Sequence, residues 1–122
     1  SIIYMYNNKF ADTNVEYQFG KIDNKEEINK ILISYIEKHF SISDDKQTWF
    51  DKMKDLAEEY GYAREVKEYK QNPENYKGHV GDISTVIRVA LTGRQNTPDL
   101  YEIMQVLGEN SIRERIEKVI GK

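Results

Sequence analysis

Cysteine is absent from all 122 residues. That excludes a disulfide framework and any thiolate metal site. Histidine is nearly absent too: His39 and His79 are the whole supply, too few for a histidine-rich metal centre. No run of eighteen apolar residues occurs, so no membrane span is expected. The first residues, Ser-Ile-Ile-Tyr, lack a basic region followed by an apolar core, so they do not read as a signal peptide. They also lack a starting Met and begin in mid-pattern, as a piece cut from a longer chain would. There is no internal repeat and no low-complexity tract. The only glycine-rich piece, Lys77-Gly78-His79-Val80-Gly81, has no G-K-[ST] after it and no strand before it, so it does not fit a phosphate loop. Arginine is missing from the first half: Arg64, Arg88, Arg94, Arg113 and Arg115 all lie beyond residue 63.

What remains is one domain's worth of chain, long enough to bury a core. Charged residues make up 32% of it, with mean hydropathy −0.77 and net charge −3. That balance does not by itself favour nucleic acid. The halves differ, however. Residues 1–62 carry 8 basic against 12 acidic side chains, and residues 63–122 carry 10 against 9. Arginine suits bidentate contacts to phosphates and base edges better than lysine does. It serves equally well to solvate a helix surface.

Residues 82–108 organise the rest. Ile83, Val86, Ile87, Ala90 and Leu91 form one apolar helical stripe. Asp82 is the expected cap, and Gly93 can take the left-handed backbone that stops the helix. Thr97 is placed as the next N-cap with Pro98 at the first helical position, where its missing N–H costs nothing. Leu100, Ile103, Met104 and Leu107 make the second stripe, and Gly108 ends it. Arg88, Thr92, Arg94, Gln95, Asn96 and Thr97 crowd the joint, a basic and hydrogen-bonding corner.

Elsewhere the pattern is also helical. Residues 1–10 read as the end of a helix and 11–20 as an irregular link. In that link Val15, Tyr17 and Phe19 alternate like a strand that has no partner. Residues 23–40 read as a helix capped by Asp23, with Glu26 completing a capping box and Ile28, Ile31, Leu32, Tyr35, Ile36 and Phe40 inward. Residues 45–60 form the next, capped by Asp44 or Asp45, with Trp49, Phe50, Met53, Leu56, Ala57 and Tyr60 inward and Gly61 ending it. A short helix is expected at 64–70, a loop or single turn at 72–78 and a terminal helix at 109–120. That last helix buries Ile112, Ile116, Val119 and Ile120 and leaves Arg113, Arg115 and Lys118 outside or at a groove edge. The reading is all-α: a compact bundle or cage of about five or six helices.

Two catalytic constellations compete with a binding role. Asp51, Asp55, Glu58 and Glu59 cluster in sequence but alternate with Lys52 and Lys54, as on a solvated face. Ser84, His79 and Asp82 are a hydrolase's residue types without a nucleophile elbow. The corner has the residue types to bind an RNA loop, whose unstacked bases are bound through their edges and faces; the alternative is a helical protein-interaction module with no RNA role, its acidic first half docking a basic partner. Arg88 and Arg94 supply forks for a base or phosphate, Thr97 a hydroxyl, and Pro98 and Leu100 apolar contact; plain structural readings stand beside these, with Arg88 snorkelling or paired with Glu102, Thr97 and Pro98 as a helix start, and Leu100 as core.

R-V-A-L-T-G at 88–93, T-P-x-L at 97–100 and L-G at 107–108 before a charged last helix resemble the C-terminal end of bacterial glutamyl-tRNA synthetases. The aromatic and acidic stretch 49–62 and Y-K-x-N-P at 69–73 resemble the segment preceding it. The resemblance covers the second two-thirds of the chain, and the first forty residues are most similar to clostridial-type members. It implies that residues 1–122 are one helical anticodon-binding domain, a C-terminal fragment that binds the anticodon stem-loop of tRNA(Glu). By motif position the contacting residues fall on Arg88, Thr97, Pro98 and Leu100, with Thr85 a weaker carry-over. The family's further arginine, which helps read the first anticodon position, has no counterpart before Arg64. That leaves the separation of glutamate from glutamine anticodons open. The parent would be a cytoplasmic class I ligase using ATP and magnesium. Its H-x-G-H and K-M-S-K-S loops are not in this chain, so no catalysis and no cofactor of its own are expected; the fragment is expected to be a monomer, with the parent's catalytic domain as a partner.

Overall fold

A computed structural model of the chain describes residues 17–121. The helix end expected at 1–10, and most of the irregular link, lie outside these residues. The described part holds five α-helices: α1 (Lys25–Ser34), α2 (Lys46–Glu59), α3 (Val66–Gln71), α4 (Val80–Thr92) and α5 (Leu100–Ile120). A π turn, Tyr35–His39, extends α1, and a 3₁₀ turn, Pro73–Asn75, follows α3. Among the described residues there is no strand, only an isolated bridge between Ala63 and His79. Gly108 sits inside α5 at φ 83°, ψ 164°, so that helix is kinked into two pieces there, where the sequence placed a break. No helix of the described residues is long and apolar enough to cross a membrane.

The central element is α4. Val80, Ile83, Val86, Ile87, Val89, Ala90, Leu91 and Thr92 are all buried, so its apolar surface runs nearly all round. It packs against α1, α2 and α5. Around it Ile28, Ile31, Leu32, Tyr35, Met53, Leu56, Ala57, Leu100, Met104, Ile112, Ile116 and Val119 complete one core. The stripes therefore meet as their spacing requires. Tyr17 and Phe19 join the rim of this core with rings stacked 5.8 Å apart.

Three caps differ from the sequence reading. Asn24, not Asp23, caps α1, its side chain accepting from the Glu27 N–H at 2.9 Å. His79, not Asp82, caps α4: its Nδ1 accepts from the Gly81 N–H, while Asp82 reaches back to the His79 N–H at 3.1 Å. Asp99, not Thr97, is the N-cap of α5, so Pro98 precedes the helix and is not its first residue. Asp45 caps α2 as expected, accepting from the Thr48 N–H at 2.8 Å.

Two side chains also changed sides. Phe50, placed inward, is 38% exposed. Phe50 lies about 100° round α2 from Trp49, at the edge of the buried face, with its ring stacked 6.3 Å from that of Trp49. Arg115, placed outside, is buried and donates to the Leu91 carbonyl at 2.8 Å. It thereby satisfies an orphan carbonyl in the last turn of α4. Burial pulls its guanidinium below the ordinary arginine value.

Candidate nucleic-acid interface

The corner begins where α4 ends. Gly93 adopts φ 75°, ψ 9°, and its N–H reaches the Val89 carbonyl at 2.7 Å. Thr92, fully buried, accepts from the Arg94 N–H at 3.1 Å, which turns the chain sharply. The next residues, Arg94, Gln95 and Asn96, are exposed. The Gln95 amide anchors this loop by donating to the Gln18 carbonyl at 3.1 Å. Gln18, Arg94, Gln95 and Asn96 line a shallow polar pocket.

Arg88 is half-buried one turn before the end of α4. Its Nη1 donates to Thr97 Oγ1 at 2.6 Å and to the Pro98 carbonyl at 3.3 Å. Thr97 Oγ1 in turn donates to the Pro98 carbonyl at 2.7 Å. The Thr97 hydroxyl is therefore spent within the corner, which explains why it does not cap α5. Among the described residues no ion pair joins Arg88 to Glu102, the partner a helix-surface reading suggests. Arg88 instead clamps the start of the α4–α5 loop to its finish.

The sequence-derived residues fall into distinct settings. Arg94 and Pro98 are exposed, while Arg88 and Thr97 are half-buried and bonded to each other. Leu100 is 1% exposed and belongs to the core. The Thr85 hydroxyl is bound to the Gly81 carbonyl at 2.8 Å, and its methyl lies against the Gly20 turn. The structure thus brings Arg88, Thr97 and Pro98 together, sets Arg94 beside them, and places Leu100 beneath and Thr85 to one side.

A groove of about 600 Å³ opens between the start of α2 and the start of α5. Arg88 and Leu100 line it, joined by Lys46, Phe50 and Asp99. Lys46 Nζ holds Asp99 Oδ2 at 3.0 Å across the opening. These last three were not read as site residues. The available signal was Phe50, an aromatic adjacent to Trp49 at the edge of its stripe.

The competing constellations dissolve into structure. Ser84 Oγ donates to the Gly81 carbonyl, and His79 and Asp82 form the α4 cap. Asp55 and Glu58 hold Arg64, and Glu59 accepts from Ser34, Lys38 and His39. Among the described residues no group of three acidic or histidine side chains could hold a metal ion.

The fold and the clamped corner define an all-α helical domain with two arginines at one interhelical joint, and comparison with known proteins supplies its family. The chain belongs to the anticodon binding domain family, whose model matches residues 4–120. It is 52% identical over 96 residues to a protein of Acetivibrio thermocellus named glutamate–tRNA ligase. It is 44% identical over 121 residues to the Clostridium perfringens protein of that name, and 51% identical over 81 residues to that of Sorangium cellulosum. These matches cover 79%, 98% and 66% of this chain but span only 17%, 22% and 14% of the relatives' lengths. No solved structure matches the chain.

Proposed function

We propose that this chain is the anticodon-loop recognition domain of a glutamate–tRNA ligase, a cytoplasmic class I enzyme whose other domains attach glutamate to tRNA(Glu) with ATP and magnesium. The domain acts as a monomeric, non-catalytic unit with no cofactor of its own. The observation that carries this reading is the corner after α4. There, exposed Arg94 and Pro98 flank an Arg88 already fixed by Thr97, in a chain that belongs to the anticodon binding domain family.

The residues divide the work. Arg88 is pre-organised, so little side-chain entropy is lost when it meets a base or phosphate. Thr97 positions Arg88. Arg94, whose guanidinium makes no bond to a described residue, is available to a phosphate. Pro98 offers an exposed apolar face to a base. Leu100 supports the groove from beneath, and Thr85 holds the neighbouring turn against α4.

Arg94→Ala tests this reading with the least risk to the fold. It should weaken binding to a tRNA(Glu) anticodon stem-loop and reduce the salt dependence by about one phosphate contact. An unchanged affinity and salt slope would remove Arg94 from the interface.

A further inference from the structure

We propose that Asp99 reads the exocyclic amine of the third anticodon base, a cytosine, from the groove between α2 and α5. The inference rests on the anticodon reading above and deepens it. The groove is continuous with the corner, because Arg88 lines both. It combines a buried apolar support at Leu100, an aromatic wall at Phe50, a guanidinium and a carboxylate. A nucleobase needs that combination: apolar surface for its ring, and donors and acceptors for its edge.

The carboxylate decides which base. Asp99 is the N-cap of α5, yet its side chain makes no cap bond. It points instead to Lys46, and that bond engages Oδ2 alone. The pair is solvent-exposed, with side chains 63% and 33% accessible. Such a pair is weakly held, so Lys46 can move to a backbone phosphate while Asp99 turns to the base. A carboxylate only accepts hydrogen bonds. It therefore favours the N4 amine of cytosine and repels the O4 carbonyl of uracil at the same place. Arg88, as a donor, complements the carbonyl edge of the same ring. Glutamate codons begin with G and have A in the middle, so every glutamate anticodon ends in cytosine and has uracil before it. The third base is thus the one that carries an amine in all of them.

The test measures affinity of the whole 122-residue chain for anticodon stem-loops that differ in the third base. The bases are cytosine, uracil and pyrimidin-2-one, which is cytosine without its amine. Wild-type protein should bind the cytosine loop about tenfold more tightly than either other loop. Asp99→Asn should bring the three affinities within about threefold, since an amide both donates and accepts. Phe50→Ala should weaken all three alike, by about fivefold or more. If removing the amine leaves wild-type affinity unchanged while the true loop is still preferred to a scrambled hairpin, the Asp99 assignment is wrong and the anticodon reading stands. The wild-type comparison does not depend on the variant folding. If Asp99→Asn keeps the full preference with unchanged circular dichroism, the assignment is again wrong. Equal binding of the true and scrambled loops would overturn both readings.

Discussion

Arg88 has a structural duty that precedes any ligand. Its Nη1 bonds to Thr97 and Pro98 tie α4 to the far end of the seven-residue link, 93–99, that leads into α5. Thr97→Val removes the 2.6 Å partner from a half-buried guanidinium. We expect a loss of about 1–2 kcal/mol in urea unfolding, with Thr97→Ser close to wild type. If Thr97→Val is as stable as wild type, the clamp is not formed in solution. Arg88→Ala will for the same reason mix a binding defect with a loosened corner, so its RNA affinity should be read beside its stability. At this scale, the sequence showed which residues gather at the joint but not which bond to which. Arg115 is the clearest case. Its spacing from Ile112 and Val119 puts it on their stripe, but its charge argued for solvent. The unsatisfied Leu91 carbonyl of another helix decided the matter, and no local pattern contains that carbonyl.

Helices were legible from period and punctuation, and three of their N-caps, those of α1, α4 and α5, were not. At each missed start, several polar residues in a row could cap, and a tertiary partner chose among them. Thr97 went to Arg88, leaving Asp99 at the cap. His79 took a role that sequence preference gives to Asp82. Breaks marked by glycine fared better, because a positive φ is a local demand. Gly108, at φ 83° and ψ 164°, occupies backbone space that is nearly glycine-only, and a Cβ there would meet nothing within 4 Å. Gly108→Ala should therefore cost about 1–3 kcal/mol through the backbone alone, read as a lowered thermal midpoint. No loss would mean that α5 straightens at no cost. A second element-level contact joins the end of α2 to α1 and its π turn. Glu59 accepts from Ser34 at 2.9 Å, Lys38 at 3.0 Å and His39 at 2.9 Å. Burial tends to raise its pKa, but the bonds from His39, Lys38 and Ser34 together outweigh burial and hold it below the ordinary 4.5. A carboxyl lowered on folding contributes stability that is full above its unfolded value and is lost as pH falls through its folded one. Unfolding free energy should therefore fall below about pH 4.5. Glu59→Gln should lower stability at neutral pH and flatten that fall. A parallel pH profile in the variant would show that Glu59 is not a cause.

For the whole molecule, the fold class was accessible because every apolar stripe had to find another, and α4, apolar nearly all round, had to lie at the centre. The site was only partly accessible. Arg88, Thr97 and Pro98 share a corner because the sequence itself makes the turn between them. Lys46, Phe50 and Asp99 reach their groove from helices more than fifty residues apart at their starts, and only packing reveals it. Net charge −3 also masked the candidate interface, since Asp44, Asp55, Glu58 and Glu65, in and around α2, are neutralised by Lys52, Arg64 and Lys54. The most direct test of the central claim is an NMR titration of the labelled chain with the tRNA(Glu) anticodon stem-loop and with a scrambled-loop control. The account predicts shifts concentrated at Arg88, Arg94, Thr97, Pro98 (through its neighbours' amides) and the Asp99 groove, with the true loop only. Equal shifts with both loops, or shifts on another face, would contradict it.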